Sequence, residues 1–141
     1  MGNSSAAIQV FKLQKRVVRR INDLKTARQN PSCRGVFRHL GVLTLASIYI
    51  YESILYVKMN PNHNVKNSSI HSHDTRQKHK LHIPKARTSI LFKGCLLSGQ
   101  RLYNSLPPDI QYIDNIKKFK LKLKEYLIET ESYTAKEFTR S

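Results

Sequence analysis

Val42-Leu43-Thr44-Leu45-Ala46-Ser47-Ile48-Tyr49-Ile50-Tyr51-Glu52-Ser53-Ile54-Leu55-Tyr56-Val57 holds sixteen residues and a single charge, Glu52. Whether this run is strand or helix decides the fold class. Ile48-Tyr49-Ile50-Tyr51 favours a strand, because β-branched and aromatic side chains pack well on a pleated surface. Three features oppose that reading. The run is long for a strand, Ala46 is a strong helix former, and the Thr44 hydroxyl can accept from an open first helical turn. A buried helix over 42–57 is therefore predicted, apolar all round yet shorter than the roughly twenty residues a membrane span needs. Tyr49, Tyr51 and Tyr56 are expected in its core contacts and not as platforms for bases.

Working outward toward the N-terminus, 32–40 reads as a short helix ended by Gly41. Before it, Val10, Leu13, Val17, Ile21 and Leu24 recur at steps of three and four, and Ile8, Phe11 and Val18 widen that stripe. This is the pattern of an amphipathic helix, expected over 6–27. Ser4 or Ser5 can cap its start, and Asn30-Pro31 stops its continuation. Lys12, Lys15, Arg16, Arg19 and Arg20 fall on the side away from the stripe and form a cationic ridge about two turns long.

Toward the C-terminus, 58–88 is the least regular part. Its apolar residues are few (Val65, Ile70, Leu81 and Ile83), so it reads as a long basic loop with a short strand near Leu81 as its candidate element. The remainder, 89–141, reads as C-terminal helices. The first is either broken around Gly99 or runs to Asn104, and Pro107-Pro108 ends it. One turn over 109–113 precedes a long helix capped by Asp114 or Asn115. Ile116, Phe119, Leu123 and Tyr126 or Leu127 are expected inward, with Lys117, Lys120, Lys122 and Lys124 outward. A last turn is expected at 135–138. Residues 1–141 thus form one domain of the mainly α class, several helices around a small core with a long basic loop in the middle.

Lys and Arg number 25 against 9 Asp and Glu, a formal net charge of +16. Nine basic residues face one acidic over 1–41, and seven face one over 58–88. Such an excess points to a polyanionic partner, RNA or DNA before a membrane. A row of cations is rewarded by counterion release where a lone one is not, and guanidinium groups can hold phosphate bidentately, so Arg16, Arg19 and Arg20 lead the candidates. The plain alternative is a solvated helix face. Cys33 and Cys95 are far apart and no secretory signal is seen, which predicts reduced thiols in an intracellular protein, nuclear or cytoplasmic and not secreted. Met1-Gly2-Asn3-Ser4-Ser5 has the look of an N-myristoylation start, but Ala6 stands where such a site wants Ser or Thr. An acylated membrane-surface protein is therefore the disfavoured alternative. His63, His71, His73, His79 and His82 gather in the middle segment without a paired-cysteine spacing, so no metal and no cofactor are expected.

Gly99-Gln100-Arg101-Leu102-Tyr103-Asn104-Ser105-Leu106-Pro107-Pro108, followed by the lysine-studded segment 116–128, resembles the C-terminal end of jockey-like non-LTR retrotransposon reverse transcriptases. Gln14-Lys15-Arg16-Val17-Val18-Arg19-Arg20-Ile21 and His71-Ser72-His73-Asp74-Thr75-Arg76 are similar to two further landmarks of that family, in the same order. The stretch 33–45 resembles the link between its helices. The resemblance covers nearly the whole chain and places it downstream of the polymerase palm. Where the family usually reads Trp-Gly-Asn, this chain reads Met1-Gly2-Asn3, which implies a reading frame opened inside a longer gene.

The resemblance implies a parent RNA-directed DNA polymerase whose C-terminal helices hold template RNA or target DNA. The implied partners are RNA or DNA and the rest of the retrotransposon polymerase. His73 and Arg76 join the implied nucleic-acid set, and Thr75 with Arg76 fixes the loop; structural support and template contact both stay open for them. Tyr103, Asn104, Leu106 and Pro107 read as architectural, since Asn bonds nearby backbone and Pro-Pro enforces an extended exit. Catalysis is not carried over. Two-metal nucleotidyl transfer needs clustered carboxylates, whereas Asp23, Asp74, Asp109 and Asp114 stand alone and no two acidic residues are adjacent. The expectation is a non-catalytic, nucleic-acid-binding fragment, with a decayed or domesticated structural remnant as the alternative.

Overall fold

The computed structural model describes residues 4–25, 33–70, 77–84 and 95–140. Its centre is the run that opened the sequence reading, a helix at Leu45–Met59. Thr44 caps it by accepting from the Ser47 amide at 3.0 Å, satisfying a donor that the first turn leaves open. The helices are α1 (Ser5–Lys25), α2 (Val36–Leu40), α3 (Leu45–Met59), α4 (Cys95–Asn104), α5 (Pro108–Gln111), α6 (Ile116–Thr130) and α7 (Ala135–Phe138). Three-residue 3-10 turns occur at Pro61–His63 and Asn67–Ser69. The chain is mainly α; among the described residues, β pairing is confined to an isolated antiparallel bridge between Lys66 and Leu81. That bridge is what became of the strand expected near Leu81.

Helix α3 touches α1, α4, α6, α7 and the first 3-10 turn, and its longest contact is with α4. The approach is close at Gly99, where an added Cβ would lie 2.9 Å from both the Ser53 carbonyl oxygen and Val57 Cγ2. Gly99 is therefore a packing residue inside an unbroken α4, and not a break. Around this contact Ile50, Ile54, Leu55, Leu102, Leu106, Ile110, Phe119, Leu123, Leu127 and Phe138 form the main core. Two inward assignments fail. Ile116 is 37% exposed at the first residue of α6, where the inner arc is occupied by Phe119, Leu123 and Leu127. Tyr56 is 49% exposed, because it shares the outer arc of α3 with Ile48 and Glu52 at steps of four residues, whereas Tyr49 and Tyr51 do pack on the core. Asn115, of the two candidate caps, accepts from the Lys117 and Lys118 amides.

A smaller cluster of Val18, Cys33, Val36 and Phe37, with Phe11, Leu40 and Tyr133 against it, holds α1 and α2. Helix α2 is shorter than the 32–40 expected. It is entered through Gly35 at φ 83° and left through Gly41 at φ 66°, a conformation in which side chains other than glycine's are strained. The Gly41 and Val42 amides donate to Arg38 and Phe37 carbonyls at 3.1 and 2.9 Å, a Schellman ending. Cys33 is a free, buried thiol.

The segment after α6 joins the two clusters. Glu131 turns the chain in the left-handed region (φ 43°) and its carboxylate accepts from the Gly35 amide at 2.6 Å. Thr44 donates to the Ser132 carbonyl, and Arg34 donates to Glu137 at 2.9 Å. The Tyr133 ring meets Phe11 edge-on at 5.1 Å and Phe37 at 6.1 Å.

Candidate nucleic-acid interface

The orientation of α1 is set by one arc of its surface. Phe11 stacks on Phe37 with centroids 6.3 Å apart, and Val18 is buried. Between them Gln14 spans a break in the backbone before α3: its Nε2 donates to the Leu43 carbonyl at 2.8 Å and its Oε1 accepts from the Leu45 amide at 2.9 Å. At about 100° per residue these three side chains fall within roughly 60° of one another. Lys15 is half-buried beside them, while Val10, Lys12, Leu13, Arg16, Val17, Arg19, Arg20 and Ile21 are exposed.

This overturns the inner stripe expected for α1. Val10, Leu13, Val17 and Ile21, the repeating residues of that stripe, are 50%, 55%, 56% and 40% exposed. The arc taken into the fold carries Phe11 and Val18, two of the three residues expected only to widen the stripe; the third, Ile8, is exposed. Periodicity identifies apolar positions but not which of two apolar arcs meets a partner, and the polar Gln14 between Phe11 and Val18 weighs against the correct arc unless its bonds to backbone are known.

The cationic ridge stands as a geometric unit. Lys12, Lys15, Arg16, Arg19 and Arg20 line one open hollow of about 420 Å³ on α1. Lys12, Arg16, Arg19 and Arg20 are exposed. Lys15 is half-buried and its ammonium lies 4.7 Å over the Phe11 ring, so it is held closer to the helix than the arginines. A row of this kind delivers its charges along one line and not at one point, the arrangement that counterion release rewards. His73 and Arg76, assigned to the same surface, lie outside the described residues, as does Thr75. A second basic face runs along α6, where Lys117, Lys118, Lys120 and Lys124 are exposed and Lys122 pairs with Glu125 at 2.7 Å; the hollow is lined by α1 alone.

The Tyr-Asn-Ser-Leu-Pro residues are placed as ties between elements. Asn104 grips the backbone of Leu81 at both ends: its Oδ1 accepts from the Leu81 amide at 2.9 Å and its Nδ2 donates to the Leu81 carbonyl at 2.9 Å. Tyr103 donates to the Gln111 carbonyl at 3.1 Å, while Gln111 Nε2 donates to the carbonyls of Tyr103 and Leu106. Leu106 is buried in the core, and Pro107 sits at the entry of α5. Burial pushes the Tyr103 hydroxyl above the ordinary phenol value, with the nearby Asp114 adding to the effect. Gln14, Gln111 and Gln100, whose Nε2 donates to Asn64 Oδ1 at 3.0 Å, are the tie residues that sequence reading missed; an amide side chain gives no pattern that announces a backbone partner.

Lys58 is the inward-turned cation of α3, donating to the Gln111 carbonyl at 3.1 Å with its ammonium 5.0 Å over the Phe119 ring. Burial lowers its pKa, partly countered by Asp114. Among the described residues, no three His, Cys, Asp or Glu side chains are grouped so as to hold a metal ion, and no helix is long and apolar enough to cross a membrane. Searches of protein-family models, of curated proteins and of solved structures gave no match to this chain.

Proposed function

We propose that the chain is a non-catalytic fragment of a non-LTR retrotransposon reverse transcriptase that binds RNA or DNA through α1, inside the cell, in the nucleus or cytoplasm. The observation that supports it is the hollow lined by Lys12, Lys15, Arg16, Arg19 and Arg20. Five cations along one helix exceed what a solvated face needs for solubility, and the net charge of +16 reinforces long-range attraction to a polyanion. The reaction class is binding without turnover.

Replacing Arg16, Arg19 and Arg20 with glutamine tests this, since glutamine has nearly the helix propensity of arginine. Anisotropy titrations over a salt series should show weaker binding and a flatter log–log slope, by roughly two units on single strands and nearly three on duplex if all three contact phosphate. An unchanged slope in a variant with intact circular dichroism would reject the reading.

A second reading is a structural remnant whose helices packed on another part of a polymerase. The exposed stripe of Val10, Leu13, Val17 and Ile21 favours it. The salt series separates the two, because a remnant has no phosphate contacts to lose.

A further inference from the structure

Helix α1 is apolar on two arcs, and the fold uses one. The outward arc carries Val10, Leu13, Val17 and Ile21 at steps of three, four and four residues, each 40% or more exposed. Single exposed aliphatics are ordinary on protein surfaces; a continuous row along three turns of one helix marks a contact surface. On an ideal helix the row spans only about 80°, the width of a two-helix seam and narrower than the face of a helix lying in a bilayer interface. Its chemistry agrees, being Val, Leu and Ile with no aromatic; Phe11, the aromatic residue of α1, is turned into the fold. Helices that lie in membrane interfaces favour a broad face with Trp, Phe and Leu.

Charge selects the occupant further. Arg16 and Arg20 project from the border of the row, so a second copy of α1 would bring guanidinium groups against their own counterparts at the edge of an apolar seam. Like charges at such flanking positions oppose pairing, and opposite charges specify it. We propose that this row is the docking seam for one amphipathic helix of a partner protein, with aliphatic residues at heptad spacing and carboxylates on its flanks facing Arg16 and Arg20. The seam shares that border with the phosphate-binding hollow, since Arg16 and Arg20 belong to both, while its four aliphatic residues are not among those lining the hollow.

The test uses the full chain and a labelled synthetic peptide about three heptads long, with Leu at the seam positions and Glu on both flanks, whose Glu–Glu repulsion disfavours self-pairing. Two control peptides carry Ala at the seam with the same glutamates, or Leu at the seam with Lys flanks. The expected result is saturable binding of the first peptide alone, weakened roughly tenfold or more by Leu13→Gln with Val17→Gln, while that variant binds single-stranded RNA as the parent does. Both positions are exposed, so the variant should keep its circular dichroism. Equal binding of the Ala-seam peptide would reduce the effect to charge and overturn the proposal. So would unchanged peptide affinity in the double variant. Sedimentation showing a dimer that the double variant abolishes would assign the seam to a second copy instead, and loss of binding to phosphatidylserine vesicles in that variant, without peptide binding by the parent, would assign it to a membrane.

Discussion

At position 99 the absence of a side chain lets α4 lie against α3. Glycine inside a helix ordinarily costs about 1 kcal/mol relative to alanine, so Gly99→Ala would stabilise an isolated α4. Here the new methyl would meet the Ser53 carbonyl oxygen and Val57 Cγ2, each at 2.9 Å. Main chain cannot swing aside as a side chain can, and overpacking of this kind costs roughly 1–3 kcal/mol. Gly99→Ala is therefore expected to lower stability, read as a lower urea midpoint with an unchanged slope; a raised midpoint would show that the helices separate freely. Tyr133 gives a second single-residue test. Its hydroxyl is pushed up to about 12, first by burial and then by Glu131, to which it donates at 3.3 Å. The folded chain thus keeps the phenol neutral at pH values where the unfolded one, near its ordinary 10.0, ionises. The stability this represents is present in full below pH 10 and is lost as pH rises toward 12. Thermal melts across that range should show a steeper decline for the parent than for Tyr133→Phe, the difference isolating this group from the lysines titrating beside it.

The seating of whole elements follows from a few such ties, and the sequence reveals them unevenly. Helix α3 was legible because its cap, length and Ala46 outweigh the strand preference of Ile48–Tyr51. The last long helix was legible because Pro107-Pro108 ends the helix before it and Asp114-Asn115 offers its cap, a choice that falls to Asn115. For α1 the element was legible and its facing was not, since two apolar arcs compete and Gln14 decides between them through the backbone of Leu43 and Leu45. Gln14→Ala should cost about 1–2 kcal/mol, leaving the Leu45 amide and Leu43 carbonyl without their partner. Hydrogen exchange is expected to quicken along α1 and α2 while α4 and α6 keep their protection. Uniform loss across all helices would mean that the N-terminal cluster does not open separately.

On the scale of the molecule, the cationic ridge was legible as a run of residue types at helical spacing, and the hollow between its side chains is lined by α1 alone. The chain is mainly α, and exposed cations line α1 and a second face along α6. The main core around α3 is built largely from residues after position 50. The first two helices rest on a smaller cluster of their own, which Glu131, Tyr133 and Glu137 close from the far end of the sequence.

The Gly35 amide and the Glu131 carboxylate are separated by 96 residues, and Arg34 and Glu137 by 103. During synthesis, then, α1 leaves the ribosome well before the residues that complete its cluster with α2. Until Tyr133 emerges, Phe11 and Phe37 have only each other to stack on, although Gln14 already has its partners at Leu43 and Leu45. Contacts this distant in sequence are slow to form. The nascent polypeptide therefore keeps the Phe11 and Phe37 rings together with one side open until the segment 131–137 arrives to cover them.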